Sequence, residues 1–221
     1  MPAVFVVRRT AQAVERACAS MQAELELQVV GRADHLSTAY RALRELSQTH
    51  LPHVLVSDLC LIDGNLPKLL RVMKADGHQA KVLVIATSAD DALLYATMRA
   101  GAHSYLIETA NEPTPNIASA MTDMLAGLAP MSPMVAREVL LSIPLPRLPW
   151  RRLSDWVELS AILDREPVST NSILAGGAEH LLLSAIAYGV LIDEIAQRTK
   201  RSKRDIARHV GRIYEMLHQA D

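Results

Sequence analysis

The chain has little from which to build a covalent or metal-held scaffold. Its 221 residues include two cysteines, Cys18 and Cys60, and neither belongs to a CxxC pair or a Cys/His cluster. A disulfide framework and a cysteine-ligated zinc site are therefore excluded, and a reducing compartment is expected. The eight histidines are scattered, with none paired at metal-ligand spacing, and no nucleophile motif is present. The Asp-Gly-Asn at 63–65 is a turn and not a phosphate loop. No enzymatic activity, cofactor or metal is expected on these grounds. Long apolar runs are also missing: the longest, residues 181–192, is too short to span a bilayer and is broken by Ser184, Tyr188 and Gly189. The opening MPAVFVVRR puts its basic residues after the apolar ones, the reverse of a secretory leader, so a cytoplasmic protein without a membrane partner is expected. A surplus of either charge is lacking too, with 23 Lys and Arg against 24 Asp and Glu. Any attraction to a polyanion must come from a local patch.

One such patch is present. From Arg198 to Arg212, seven residues are cationic (Arg198, Lys200, Arg201, Lys203, Arg204, Arg208 and Arg212), Asp205 alone is acidic, and His209 can add to the charge. Ile206, Val210, Ile213 and Leu217 recur at helical spacing, so one face packs on a core while the cations lie opposite. Ser202 followed by Asp205 fits a capping box and starts this helix at Lys203. Val190, Ile192, Ile195 and Ala196 mark a shorter helix ahead of it, giving helix, turn, helix with a basic second helix. That arrangement suits phosphate contacts and entry into a major groove. A solvated basic helix in an ordinary bundle has the same charge and periodicity.

The first half alternates short β-rich runs (4–7, 25–30, 53–57, 81–86 and 104–107) with helical patterns (11–22, 35–47, 66–74, 90–99 and 116–125). Five strands alternating with five helices predict a flavodoxin-like, five-stranded parallel sheet covered on both faces, with functional residues at the carboxyl ends of the strands. Between residues 128 and 150 lie five prolines and one short helical pattern at 133–141, and IPLPRLP cannot continue a helix. This predicts an α/β domain at 1–127, a Pro-rich linker at 128–150 and an all-α domain at 151–221. In the last, residues 150–164 suggest an extra amphipathic helix around Trp156. Leu182, Leu183 and Ile186 form the apolar face of a helix that Gly189 ends.

Two sets of residues carry a family resemblance. Gly189, Glu194-Ile195-Ala196, Ser202, Ile206, His209, Val210, Ile213 and Leu217 resemble the helix-turn-helix effector domain of the LuxR, or NarL/FixJ, family of response regulators. PHVLVSDLCLIDGN (52–65) and RAGAHSYLIETA (99–110) resemble two signature segments of the receiver domain, and MSPMVAREVL (131–140) resembles the segment that follows it. The resemblance implies a two-component response regulator that binds double-stranded DNA as a homodimer and acts with RNA polymerase. It places Asp58 at the phospho-acceptor position. It also makes the positions of Ala207, Arg208 and Gly211 base-facing, with Arg208 the main candidate for direct readout. Lys200, Arg201, Lys203, Arg204 and Arg212 then serve as further DNA contacts.

The departures from the family pattern are concentrated in the receiver. Arg8 and Arg9 stand where the family places its two magnesium-binding acids, Glu108 where it places a lysine, and Ala86 where it places a switch hydroxyl, with Thr87 one residue away. Two guanidinium groups repel a divalent cation, so metal-assisted phosphorylation is not expected. Three roles are open to Asp58: an ion pair with Arg8 or Arg9, a loop-capping carboxylate, or one wall of a seat for an anionic ligand. Ala175 and Gly176 replace the family's leucine and threonine ahead of Glu179. The sequence stops soon after Leu217, so the family's last, pairing helix is expected to be absent. The expected function is an atypical, phosphorylation-independent transcription regulator. The alternatives are a phosphorylated regulator with an altered pocket and a protein-interaction module without specific DNA binding.

Overall fold

The computed structural model describes residues 1–46, 51–88, 92–108, 116–142, 156, 159–161 and 178–219. The chain divides into two compact units, Met1–Ala126 and Gly127–Asp221.

The first unit alternates strands and helices: β1 (Ala3–Val7), α1 (Ala11–Glu24), β2 (Gln28–Ala33), α2 (Leu36–Glu45), β3 (Val54–Asp58), a hairpin of β4 (Cys60–Leu61) and β5 (Gly64–Asn65), α3 (Leu66–Ala75), β6 (Lys81–Ala86), α4 (Ala92–Arg99), β7 (Ser104–Ile107) and α5 (Ile117–Leu125). The main sheet has the order β2-β1-β3-β6-β7 with all strands parallel, the doubly wound arrangement expected from the sequence. Strands β1 and β3 are buried along their whole length because helices cover both faces. Val4, Val6, Val54, Val56, Leu83 and Ile85 form one core with Val14, Met21, Ile117, Met121 and Met124 from α1 and α5.

Strand β2 begins three residues later than the expected 25–30, where Gln28 pairs with Ala3, the first residue of β1. Its pairing with β1 slips between Val4 and Phe5, which brings Phe5 opposite Gly31. A Cβ on Gly31 would lie 2.2 Å from the Phe5 ring, so the glycine makes room for the fully buried aromatic.

The turn at 63–65 does more than reverse the chain. Asp63 accepts hydrogen bonds from the Leu36 and Ser37 amides at 2.7 and 2.9 Å and so caps α2, whose own N-cap residue, His35, makes no such bond. Burial pushes the Asp63 carboxyl up, but hydrogen bonds from the Ser37 amide and hydroxyl and the Leu36 amide outweigh it and lower it from 3.8 to about 2. The cap therefore stabilises the fold above the unfolded value and is lost as pH falls through about 2. Asp63→Ala is expected to cost about 1 kcal/mol at neutral pH. Denaturant titrations of both proteins should converge in strong acid, and an equal gap at every pH would remove the cap from the explanation.

The second unit holds α6 (Pro133–Ser142), α7 (Ala178–Ala187), α8 (Ile192–Thr199) and α9 (Lys203–Gln219). The first part of the segment read as a linker is thus packed into this unit: Val135, Ala136 and Val139 of α6 are fully buried, and the Arg137 Nε donates to the Ala187 carbonyl at 2.8 Å. IPLPRLP, Ala175 and Gly176 lie outside the described residues, as does most of the segment around Trp156, although Trp156 itself and 159–161 are helical. Gly189 ends α7 at φ +88°, where a side chain would be strained.

Candidate functional site

The carboxyl ends of β1, β3, β6 and β7 converge, and the residues read as a degenerate pocket meet there. Arg8 follows β1 and is 4 % exposed, while Asp58 ends β3 and is 3 % exposed. The Arg8 Nε donates to Asp58 Oδ1 at 2.8 Å, and its terminal nitrogen donates to Glu108 Oε2 at 2.6 Å. The second Asp58 oxygen accepts the Arg9 amide at 2.7 Å, with the half-exposed Arg9 guanidinium 3.8 Å away. One guanidinium therefore ties three strands together through two carboxylates. Its flat fork suits this role better than a lysine ammonium would.

The charges are exchanged relative to the family pattern: cations follow β1 and a carboxylate follows β7. Burial pushes the Asp58 carboxyl up, and the Arg8 charge, the Arg9 amide and the Arg8 hydrogen bond pull it only part of the way back. Of the three roles open to Asp58, the geometry is that of the ion pair. Ala86 is buried and contributes its carbonyl to the Glu108 amide at 2.8 Å, whereas Thr87 is exposed. The receiver fold implies a magnesium ion at this place, and these residues do not fit one. Both oxygens of Asp58 already accept donors, and two guanidinium groups stand where anionic ligands would be needed. Among the described residues no cluster of three or more His, Cys, Asp or Glu side chains could hold a metal ion.

In the second unit α8 and α9 form the expected helix-turn-helix. Ile206, Val210, Ile213 and Leu217 are buried, as are Ile195 and Ala196 of α8. Lys200 ends α8 in the left-handed region at φ +54°. The capping box differs from expectation in one arm. The Ser202 hydroxyl accepts the Asp205 amide at 3.1 Å, but the Asp205 carboxylate takes that same hydroxyl at 2.7 Å and not a backbone amide. Aspartate is one methylene shorter than the glutamate usual at this place, which brings its carboxylate to the nearer hydroxyl.

Lys200, Lys203, Arg204 and Arg208 are exposed, and Arg201 and Arg212 are half-buried. Folding brings further carboxylates to them beside Asp205. Lys203 pairs with Asp193 at 2.7 Å, Arg208 with Asp205 at 3.0 Å, and Arg198 with Glu194 at 2.9 Å, so part of the positive charge is already balanced. Such exposed pairs are worth about 0–1 kcal/mol each, so a phosphate can replace the carboxylate. Arg198 also stacks on the Trp156 ring at 4.7 Å, a contact the sequence did not suggest. His209 departs from the reading that added it to the cationic face: it is half-buried and turned toward Glu179 of α7, with Nδ1 and Oε1 3.7 Å apart.

Two of the three expected base-facing positions are not open. The segment running from Gly127 into α6 lies along α9: the Ala129 amide donates to the Ala207 carbonyl at 3.1 Å, and the Tyr214 hydroxyl donates to the Pro130 carbonyl at 2.9 Å. A Cβ on Gly211 would lie 2.2 Å from the Gly127 carbonyl oxygen. Ala207 and Gly211 are half-buried as a result, and Tyr214 is 1 % exposed. Arg208 remains outside this contact and exposed. A glycine in mid-helix was the available signal, since it commonly marks close approach of another backbone.

Compared by sequence, the chain matches no protein-family model and no curated protein. Compared by structure, it is similar to the RcsB response regulator of Salmonella typhimurium, at 18% identity and a TM-score of 0.50 over 98% of this chain and 91% of that one. Two RcsB dimers bound to two parallel DNAs match at 17% identity and 0.50, over 99% and 96% of the two chains. The isolated receiver domain of RcsB from Salmonella enterica serovar Typhimurium, with a beryllofluoride phosphomimetic, matches at 18% and 0.50, over 62% of this chain and 96% of that one. The protein has the fold of a response regulator, a receiver sheet followed by a helical C-terminal unit. Its second unit carries a helix-turn-helix, formed by α8 and α9. Among the described residues no helix is long and apolar enough to cross a membrane.

Proposed function

We propose that this chain is a cytoplasmic DNA-binding transcription regulator whose receiver is held by fixed charge and is not switched by aspartyl phosphorylation. The observation that carries the second half is the bridge from Arg8 to Asp58 and Glu108, which occupies the acceptor and leaves no anionic seat for magnesium. The first half is supported by the exposed Lys203, Arg204 and Arg208 on a helix that follows a tight turn. In this reading the protein binds duplex as a homodimer and acts on RNA polymerase, and its chemistry is binding, without catalysis. Covering of Ala207 and Gly211 favours a second reading, an interaction module without sequence preference.

A selection from a random duplex pool separates the two. The protein is used as made and after incubation with a small phosphodonor and magnesium, with intact mass measured alongside. The expected result is one enriched motif, no phosphoryl adduct and the same affinity in both samples. An adduct on Asp58 that shifts affinity would overturn the phosphorylation-independent reading, and the absence of any enriched motif would favour the interaction module.

A further inference from the structure

We infer that the segment entering α6 is an internal competitor for duplex: Gly127–Pro130 occupies the Ala207–Gly211 edge of α9, and DNA can seat fully only when this strap lifts. The inference rests on the DNA-binding reading above and adds to it the element that must move.

Three observations place the strap. The main-chain bond from Ala129 to Ala207 holds it against the middle of the helix, and the Tyr214 hydroxyl holds it one turn further on. Gly211 lies between these two anchors, where any side chain would collide with the Gly127 backbone. Leu128, Ala129 and Met131 are buried at 7 %, 3 % and 6 % exposure, so the strap is not a free surface loop. Successive positions at 207, 211 and 214 lie on one face of a helix, next to the core stripe and next to Arg208.

The steric consequence follows from dimensions. A major groove is roughly 12 Å wide and a helix with its side chains roughly 10–12 Å across, so a bare helix fills it. A second chain alongside adds about 4.7 Å, the spacing of neighbouring extended chains. Helix and strap together exceed the groove. With the strap in place, α9 can offer Arg204 and Arg208 to a duplex but cannot bring Ala207 and Gly211 to the base edges. The apparent affinity is then the intrinsic affinity reduced by the fraction of molecules whose strap is open.

Two variants of the full chain lift the strap by different routes. Gly211→Ala places a methyl against the Gly127 carbonyl and also improves helix propensity. Tyr214→Phe removes the bond to Pro130 with almost no change of volume at a buried position. Binding to a mixed-sequence duplex at low salt is measured beside amide exchange over residues 127–132. Gly211→Ala should bind about tenfold tighter, the equivalent of ~1.4 kcal/mol, and Tyr214→Phe roughly fivefold tighter. Exchange at Ala129 should quicken in both variants, and in the native chain when duplex is added. If duplex binds while Ala129 stays protected, or if quickened exchange comes with no gain in affinity, the strap is not a competitor and the DNA-binding reading stands. If neither the native chain nor a variant with quickened exchange binds any duplex, the DNA-binding reading fails and the inference falls with it. Should Gly211→Ala not fold, Tyr214→Phe decides alone.

Discussion

Arg8→Ala should lower the unfolding free energy of the first unit by about 3–5 kcal/mol, the cost of leaving buried charge without its partner. Asp58 would keep only the Arg9 amide and the more distant Arg9 guanidinium, and Glu108 would lose its contact with Arg8. Against a typical domain stability of about 5–15 kcal/mol, this is the largest effect expected of any single substitution in the pocket. The penalty depends on pH in a definite sense. Asp58 already titrates above its ordinary value because burial outweighs its partners, and the loss of Arg8 removes the strongest of the opposing influences. A carboxyl raised in the folded state favours folding below its unfolded value, and that contribution fades as pH rises through the folded value. The difference between the native chain and the variant should therefore be widest near neutrality and shrink in acid. Urea titrations at several pH values check both statements. A loss below about 1 kcal/mol at neutral pH, within the range of an exposed ion pair, would show that Arg8 is not the balancing charge.

Arg208→Ala should reduce discrimination between a cognate and a mismatched duplex by about 1–3 kcal/mol, the range of a good bidentate contact to guanine. Arg208 is the exposed member of the three expected base-facing positions, and its bond to Asp205 is one that a duplex can replace. Lys200→Ala should act differently. Lys200 sits in the turn ahead of α9, where in the proposed reading it would contact phosphate without reading bases, so its loss should weaken all sequences alike and lower the salt slope by about one. Titrations of both variants against matched and mismatched duplexes over a range of salt test the division. If the two variants lose the same discrimination and the same slope, the separation of readout from positioning is wrong.

Much of this was legible in the sequence because it depends on local patterns or on topology. Alternating runs of Val, Leu and Ile gave the parallel sheet, and a parallel sheet brings the carboxyl ends of its central strands together. Arg8, Asp58 and Glu108 could thus be grouped although they are 50 residues apart along the chain at each step. What escaped depends on contacts that no period encodes. Strand β2 was placed early because Gly31, Arg32 and Ala33 carry no apolar alternation, and only the Phe5 ring explains the glycine. Asp63 looked like a turn residue because the helix it caps begins 27 residues earlier. The cationic patch looked stronger than it is because Asp193 reaches Lys203 only through the fold, while Glu194, four residues before Arg198 on one helix, lies just outside the cationic stretch. Ala207 and Gly211 looked like weak DNA contacts, whereas their small size is what lets residues 127–130 lie against the helix.

The exchanged charges at the strand ends also constrain how such a domain can change. Placing an acid at position 8 alone would crowd it against Asp58 and Glu108, and placing a lysine at position 108 alone would crowd it against Arg8. Each solitary reversal leaves like charges together in a buried place, at a cost on the order of the 3–5 kcal/mol that breaking such a pair entails. The present arrangement and its charge-reversed counterpart are thus two balanced solutions separated by unbalanced intermediates, so neither can be reached from the other by one substitution.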